Sequence, residues 1–282
     1  MRWNHRTKYF LLVPAVIWVL AFTIFPLFYT IYLSLHRVTI GQPNVFIGLG
    51  NFVRAFSDSS TIGSAKVTLF FVAAAVIIEL VLGLLLAILY NRNLPFRNVL
   101  RAFVTLPIFV TPIAVALIFV TIFYEEGGLL NRFLGVKVPW VSDPQVAPWA
   151  IVLVDVWQWT PFVLLVLLAA LQGIPEEYYE AAKLETSSAW SMFRFITLPV
   201  IQPIIIIVLL LRITEAFKAL DIPITLTNGG PGVATQVFSL YAYKVGRLFF
   251  DFGYAAALGF LLLFVVMFVI TFFFRRIREI YQ

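Results

Sequence analysis

The chain has 282 residues, 62% of them apolar and only 12% charged, with a net charge of +6 and no cysteine. So little charge cannot clothe one or two soluble domains, for which about a quarter of residues would be charged. Without cysteine there is no disulfide framework, no thiolate nucleophile and no cysteine-based metal site.

Six apolar runs are each long enough, at about 20 residues, to cross a hydrocarbon core of about 30 Å. In chain order they are 10–33, 67–90, 103–124, 149–171, 199–220 and 254–274. Helices are expected, because backbone polar groups in lipid must be satisfied within the chain, and the runs lack the alternation of barrel strands. The first run follows Arg2, Arg6 and Lys8 like a signal peptide, but it is too long and no small-x-small cleavage site follows it. It is expected to stay. Eleven basic residues lie in the 56 positions of 1–9, 91–102, 172–198 and 275–282, against seven in the 90 positions of the opposite segments. By the positive-inside rule both termini face the cytoplasm. The pI of about 9.6 reflects this asymmetry, and no free basic stripe offers itself to nucleic acid.

Five ionisable residues fall inside these runs: Glu79, Asp155, Arg212, Glu215 and Lys218. Charges there are costly, so they mark either braces or polar pathways. Glu79 and Asp155 read as structural hydrogen-bonding groups. Arg212, Glu215 and Lys218 recur every third residue and form one stripe, with ion pairs expected at 212–215 and 215–218. They either neutralise one another at a helix contact or border a wet pathway. In the fourth run, "DVWQWTPF" sets Trp157 and Trp159 near mid-span beside the amide of Gln158, with Phe162 one turn on. Aromatic faces beside an amide suit a ring with an apolar face and hydroxyl edges; packing is the plainer alternative. No Gly-Lys pair marks a Walker A loop, no HExxH is present, and His5 and His36 fall on opposite sides, so no metal site, catalytic constellation or ATP site is expected in this chain.

Between the fourth and fifth runs lies "EAAKLETSSAWSMFRFITLP", Glu180 to Pro199, a charged segment between two very apolar ones. Pro175 followed by Glu176 and Glu177 predicts a helix from Glu176 to Trp190. Ala181 and Ala182 are expected to give it a small, flat patch. "TNGGPG", Thr227 to Gly232, reads as a turn in which glycine supplies positive φ.

This segment resembles the EAA loop of binding-protein-dependent ABC importer permeases, with Thr186 at the family's glycine position. "LQGIPEEYYEAA", "LTNGGPG" and "DFGYAAALG" resemble the sugar-importer branch, of the MalF-like kind. The resemblance implies an all-α membrane protein of six transmembrane helices with the type I ABC importer (MetI-like) fold. Its parts would be a tail, first helix and external loop (1–66), a permease core (67–274) with its coupling loop at 172–198, and a cytoplasmic tail (275–282). It also implies a transport subunit in the inner membrane of a prokaryote, without a catalytic site or cofactor of its own. MgATP would be bound by two partner ATP-binding subunits, alongside a second permease subunit and an extracytoplasmic solute-binding protein. Glu180, Ala181, Ala182 and Thr186 would couple to the ATPases. Gln158, Trp159, Phe162, Arg212, Glu215 and Lys218 would line a carbohydrate site, for a disaccharide such as trehalose or maltose or a short oligosaccharide. A glycerol-phosphate-type solute is the alternative within the class, and an ion-coupled secondary transporter the alternative outside it.

Overall fold

The computed structural model describes residues 5–92, 94–185 and 188–281, nearly all of them helical or in short connections. The first apolar run forms α1 (His5–Val19) and α2 (Phe25–Ser34), joined by a π turn at Leu20–Ile24. A two-residue antiparallel pair follows, β1 (His36–Arg37) with β2 (Val45–Phe46), then α3 (Gly50–Ser57) and the long α4 (Ser59–Tyr90). Next come α5 (Arg97–Thr105), α6 (Pro112–Ile122), α7 (Leu129–Leu134) and α8 (Ala147–Gln172). The cytoplasmic segment of the sequence reading holds α9 (Glu176–Glu185) and α10 (Ala189–Met192). The remainder is α11 (Leu198–Phe217), α12 (Asp221–Leu226), α13 (Phe238–Arg247) and α14 (Phe252–Tyr281).

Five helical stretches are long and apolar enough to cross a membrane: Leu12–Ser34, Ser59–Tyr90, Ala147–Gln172, Ala189–Phe217 and Phe252–Arg276. The expected third span, 103–124, is not one straight helix. Arg97–Phe109 and Pro112–Ile122 meet at 103°, and the count reaches six only if this bent pair is one span. Proline is the cause. Pro112 has no N–H and drives the residue before it out of the helical region; accordingly Thr111 is extended at φ −64°, ψ 144°, and Val110 has ψ 136°. The break strands a carbonyl, and the Gln158 side-chain amide donates to it (Nε2 to Val110 O, 2.9 Å).

The chain forms two compact units. One comprises Met1–Ile62 with Tyr241–Phe264, the other Gly63–Leu240 with Val265–Gln282. In the first, Asn51 is buried and donates to the carbonyls of Ser34 and His36, both at 2.9 Å, so α3 is fastened to the strand that leaves α2. The "DFG" of Asp251–Gly253 closes onto the same strand. A Cβ on Gly253 would stand 2.1 Å from the His36 carbonyl oxygen, so only glycine fits. Asp251 accepts from Arg54 (2.7 Å) and from the Tyr254 N–H (3.1 Å), and the Arg54 guanidinium lies 3.9 Å from the Tyr254 ring centre. Asp58 gathers the hydroxyls of Thr61, Tyr241 and Tyr254 at 2.6–2.9 Å, and the Ser60 N–H at 3.0 Å.

The core of the second unit is where α4, α8 and α11 pack. Ala87, Leu164, Leu167, Leu171, Ile201 and Val208 are buried together there. Gly83 lets α4 approach α8 closely: a Cβ at that position would fall 2.5 Å from the Val163 side chain and 3.2 Å from a backbone nitrogen. Small residues at a crossing are how helices gain contact in lipid, where there is no hydrophobic drive to associate. The helix expected over 176–190 ends at Glu185. Thr186 lies outside the described residues, and the Ser188 side chain caps α10. In the loop at 227–232, Asn228, Gly229 and Gly232 have positive φ, as the turn reading expects.

Candidate functional site

Arg212, Glu79 and Asp155 meet in the interior of the second unit. Their residues are 2%, 0% and 3% exposed. Arg212 Nε donates to Glu79 Oε2 at 2.6 Å and Nη2 to Glu79 Oε1 at 2.9 Å, while Nη2 also reaches Asp155 Oδ2 at 2.8 Å. Only the planar five-donor fork of arginine can hold one carboxylate in a bidentate grip and a second along its edge. The arrangement crosslinks α11, α4 and α8. The pair expected between Arg212 and Glu215 is therefore not formed. A separation of three residues rotates about 60° around the helix, which is enough to turn Arg212 inward and leave Glu215 toward the surface. The second expected pair is present: Lys218 Nζ donates to Glu215 Oε1 at 2.7 Å, both side chains more than half exposed.

Beside this triad is a cavity of about 300 Å3 where α6, α8, α11 and α12 converge. Trp159, Asp155, Arg212, Glu215 and Lys218 line it, together with Pro112, Ala219, Leu220, Asp221 and Ile222. The Arg212 guanidinium carbon sits 4.7 Å from the centre of the Trp159 ring, a cation–π contact that fixes how the indole is presented. Three lining acids oppose two lining bases, giving the wall a formal charge of −1. A cavity that is small, part aromatic, and equipped with a few fixed polar groups is what orienting a small polar ligand requires.

Four of the six residues expected at a ligand site are thus brought together: Trp159, Arg212, Glu215 and Lys218. Gln158 and Phe162 are not. Gln158 is 99% buried with its amide committed to the Val110 carbonyl, and Phe162 packs against the apolar core of α4, α8 and α11. For Gln158 the reason is rotational: each helical step turns a side chain by about 100°, so the immediate neighbour of Trp159 cannot share its face. Asp221 was missed. It lies just beyond the fifth apolar run, and the signal that could have found it was an acid immediately following the charged stripe.

Of the four coupling candidates, Glu180, Ala181 and Ala182 lie on α9, and Thr186 lies outside the described residues. Glu180 and Ala181 are exposed, but Ala182 is buried, so the two alanines do not form one outward patch. Leu184 stands 90% exposed on this short helix, with Tyr178 also outward. On its inner side Tyr179 shares a hydrogen bond with Thr197 (3.2 Å), at the end of the π turn Phe193–Thr197 that leads into α11.

Comparison with known proteins gives this geometry its context. The family described as binding-protein-dependent transport system inner membrane component matches residues 79–279. The trehalose/maltose transport system permease protein MalF of Thermococcus litoralis is 38% identical over 267 residues, covering 93% of this chain and 90% of the relative. The sulfoquinovosyl glycerol transport system permease protein SmoG of Agrobacterium fabrum is 34% identical over 273 residues, covering 93% and 85%. A crystal structure of a bacterial ABC transporter involved in the import of the acidic polysaccharide alginate contains a chain that superposes with a TM-score of 0.85 at 26% identity, over 98% of this chain and 96% of that one. The chain therefore belongs to the binding-protein-dependent transport system inner membrane component family, and its helices form an ABC importer permease of the MetI-like fold.

Proposed function

We propose that this chain is the membrane subunit of an ATP-driven importer for a neutral carbohydrate, a disaccharide such as trehalose or maltose or a short oligosaccharide. The carrying observation is the cavity beside Trp159, in which every basic group is already committed. Arg212 is held by two carboxylates and Lys218 by one. A glycerol-phosphate-type anion would find no free cation there, whereas a sugar can lay an apolar face on the indole and offer hydroxyls to the polar rim. The same ion pairs speak against a proton relay through Glu79 or Asp155. The alternation of relatives between neutral and acidic cargo leaves the choice to this wall, whose formal charge is negative.

Translocation then needs partners: a second permease subunit, two ATP-binding subunits holding MgATP, and an extracytoplasmic binding protein that delivers the sugar. In this reading α9, with Glu180, Ala181 and Leu184 outward, seats in an ATPase subunit on the cytoplasmic side. Closure of the ATPases shifts α9, and the Tyr179–Thr197 bond passes the displacement to α11, which carries Arg212 and the cavity wall. A ligand drives such a change only through contacts that differ between two global states. The test is reconstitution of the five-component complex in proteoliposomes with trehalose, maltose and longer glucans. Neutral sugar is expected to stimulate ATP hydrolysis and to accumulate. Uptake sustained by a proton gradient without ATP would assign the chain to another transport class.

A further inference from the structure

Among the ionisable residues that line the cavity, Asp221 differs from the rest. Asp155 and Arg212 are joined, as are Glu215 and Lys218, but the Asp221 carboxylate has no hydrogen bond or ion pair with any described residue. Its position is nonetheless fixed. The chain leaves α11 through irregular backbone at Leu220 (φ −129°, ψ −46°), and Ser239 donates to the Ala219 carbonyl just before it. From Asp221 onward α12 is anchored by Ile222, Pro223 and Leu226, all buried. A carboxylate placed on an anchored backbone, half-buried and unused by the protein, is a preorganised acceptor.

We propose that Asp221 is a specificity-determining residue of the translocation cavity, accepting hydroxyl donors of a neutral sugar and turning away ligands that carry a carboxylate, sulfonate or phosphate. The inference rests on the carbohydrate reading given above. An ionised carboxylate only accepts, and it has room for two sugar hydroxyls at once. Bonds to it are charge-assisted and so stronger than those between neutral groups. The same charge repels an anion in a wall that has no free cation to compensate it. An acid in the first turn of a helix also faces the helix dipole, so the experiment must separate selectivity from stability.

The measurement is equilibrium binding to the assembled permease–ATPase complex in nanodiscs, without the binding protein, so that only the membrane cavity selects. The probes are maltose, trehalose and lactose, and maltobionate, which keeps a disaccharide-like skeleton but ends in a carboxylate. The wild-type complex is expected to take a neutral disaccharide and refuse maltobionate. Asp221→Asn should weaken the neutral ligand about tenfold, as loss of one charge-assisted bond predicts, and should narrow the neutral-to-anionic ratio by at least as much. Asp221→Glu keeps the charge and should go on refusing maltobionate, which provides a second test should the asparagine variant not assemble. An unchanged ratio in an assembled Asp221→Asn complex, or admission of maltobionate by Asp221→Glu, overturns the proposal. If the assembled, ATP-hydrolysing wild type binds none of the neutral sugars, the carbohydrate reading itself falls and this inference with it.

Discussion

The Arg212 guanidinium serves two carboxylates from one plane, and its removal would strand both in a buried site. Breaking a buried ion pair by deleting one partner costs about 3–5 kcal/mol, because the remaining charge loses its compensation. Arg212→Ala is therefore expected to lower the thermal stability of the detergent-solubilised complex severely. Glu215→Ala should change it by no more than about 1 kcal/mol, the scale of an exposed pair. Equal sensitivity at the two positions would contradict the assignment of Arg212 as the brace and Glu215 as rim. Trp159 answers to a different readout. Ring stacking contributes about 0.5–1.5 kcal/mol, so Trp159→Ala should weaken sugar transport by up to about tenfold, at ~1.4 kcal/mol per decade, while assembly with the ATPases persists. The stripe 212–215–218 was legible in the sequence as charge in a membrane, but its division between brace and rim was not. Arg212 finds Glu79 across 133 residues of chain, and local spacing carries no trace of such a partner.

Helices show the same division between what is local and what is not. The fourth run, read as 149–171, is α8 at Ala147–Gln172, since a long apolar run bounded by turn residues fixes both ends. The third run was misread as continuous because its apolarity hides Pro107 and Pro112, and the 103° bend is set by backbone geometry that hydropathy does not sample. Gly83 is similarly silent in the sequence: one glycine in an apolar helix, whose use appears only when Val163 is found against it. Gly83→Leu should force α4 and α8 apart and destabilise the complex by about 1–3 kcal/mol or more, the usual range for overpacking. A melt unchanged from wild type would show that the crossing has slack. At α9 the prediction concerns assembly. Glu180→Lys should leave the helices inserted but abolish co-purification of the ATP-binding subunits, because in the proposed docking a like charge would replace a complementary one in a desolvated cleft. A normal complex with full transport would remove Glu180 from the coupling contact.

For the molecule as a whole, acid sensitivity and topology are the properties at stake. Burial pushes the Asp58 carboxyl up, but hydrogen bonds from Tyr241, Thr61, Tyr254 and the Ser60 N–H outweigh it and hold the group at about 2, below its ordinary 3.8. A depressed carboxylate contributes stability that is fully present above its unfolded value and is lost as pH falls through the folded one. Melting temperature should thus drop between about pH 4 and pH 2, and Asp58→Asn should be less stable at neutral pH with a shallower acid limb; parallel acid limbs would count against this role. Orientation rests on the distribution of arginine and lysine, and the absence of cysteine makes it directly measurable. The 26 residues of α8 extend about 39 Å at 1.5 Å per residue, more than the hydrocarbon core. Gln145, just before α8, and Leu184, on α9 after it, must therefore lie on opposite sides of the membrane. By the positive-inside rule, the excess of basic residues in 172–198 and its partner segments predicts a cytoplasmic Leu184. In cells, Gln145→Cys should react with a membrane-impermeant maleimide added outside, and Leu184→Cys should react only after the membrane is opened. Reaction of both from outside would show that α8 does not cross, and the reverse pattern would invert the molecule, placing α9 where no ATPase could reach it.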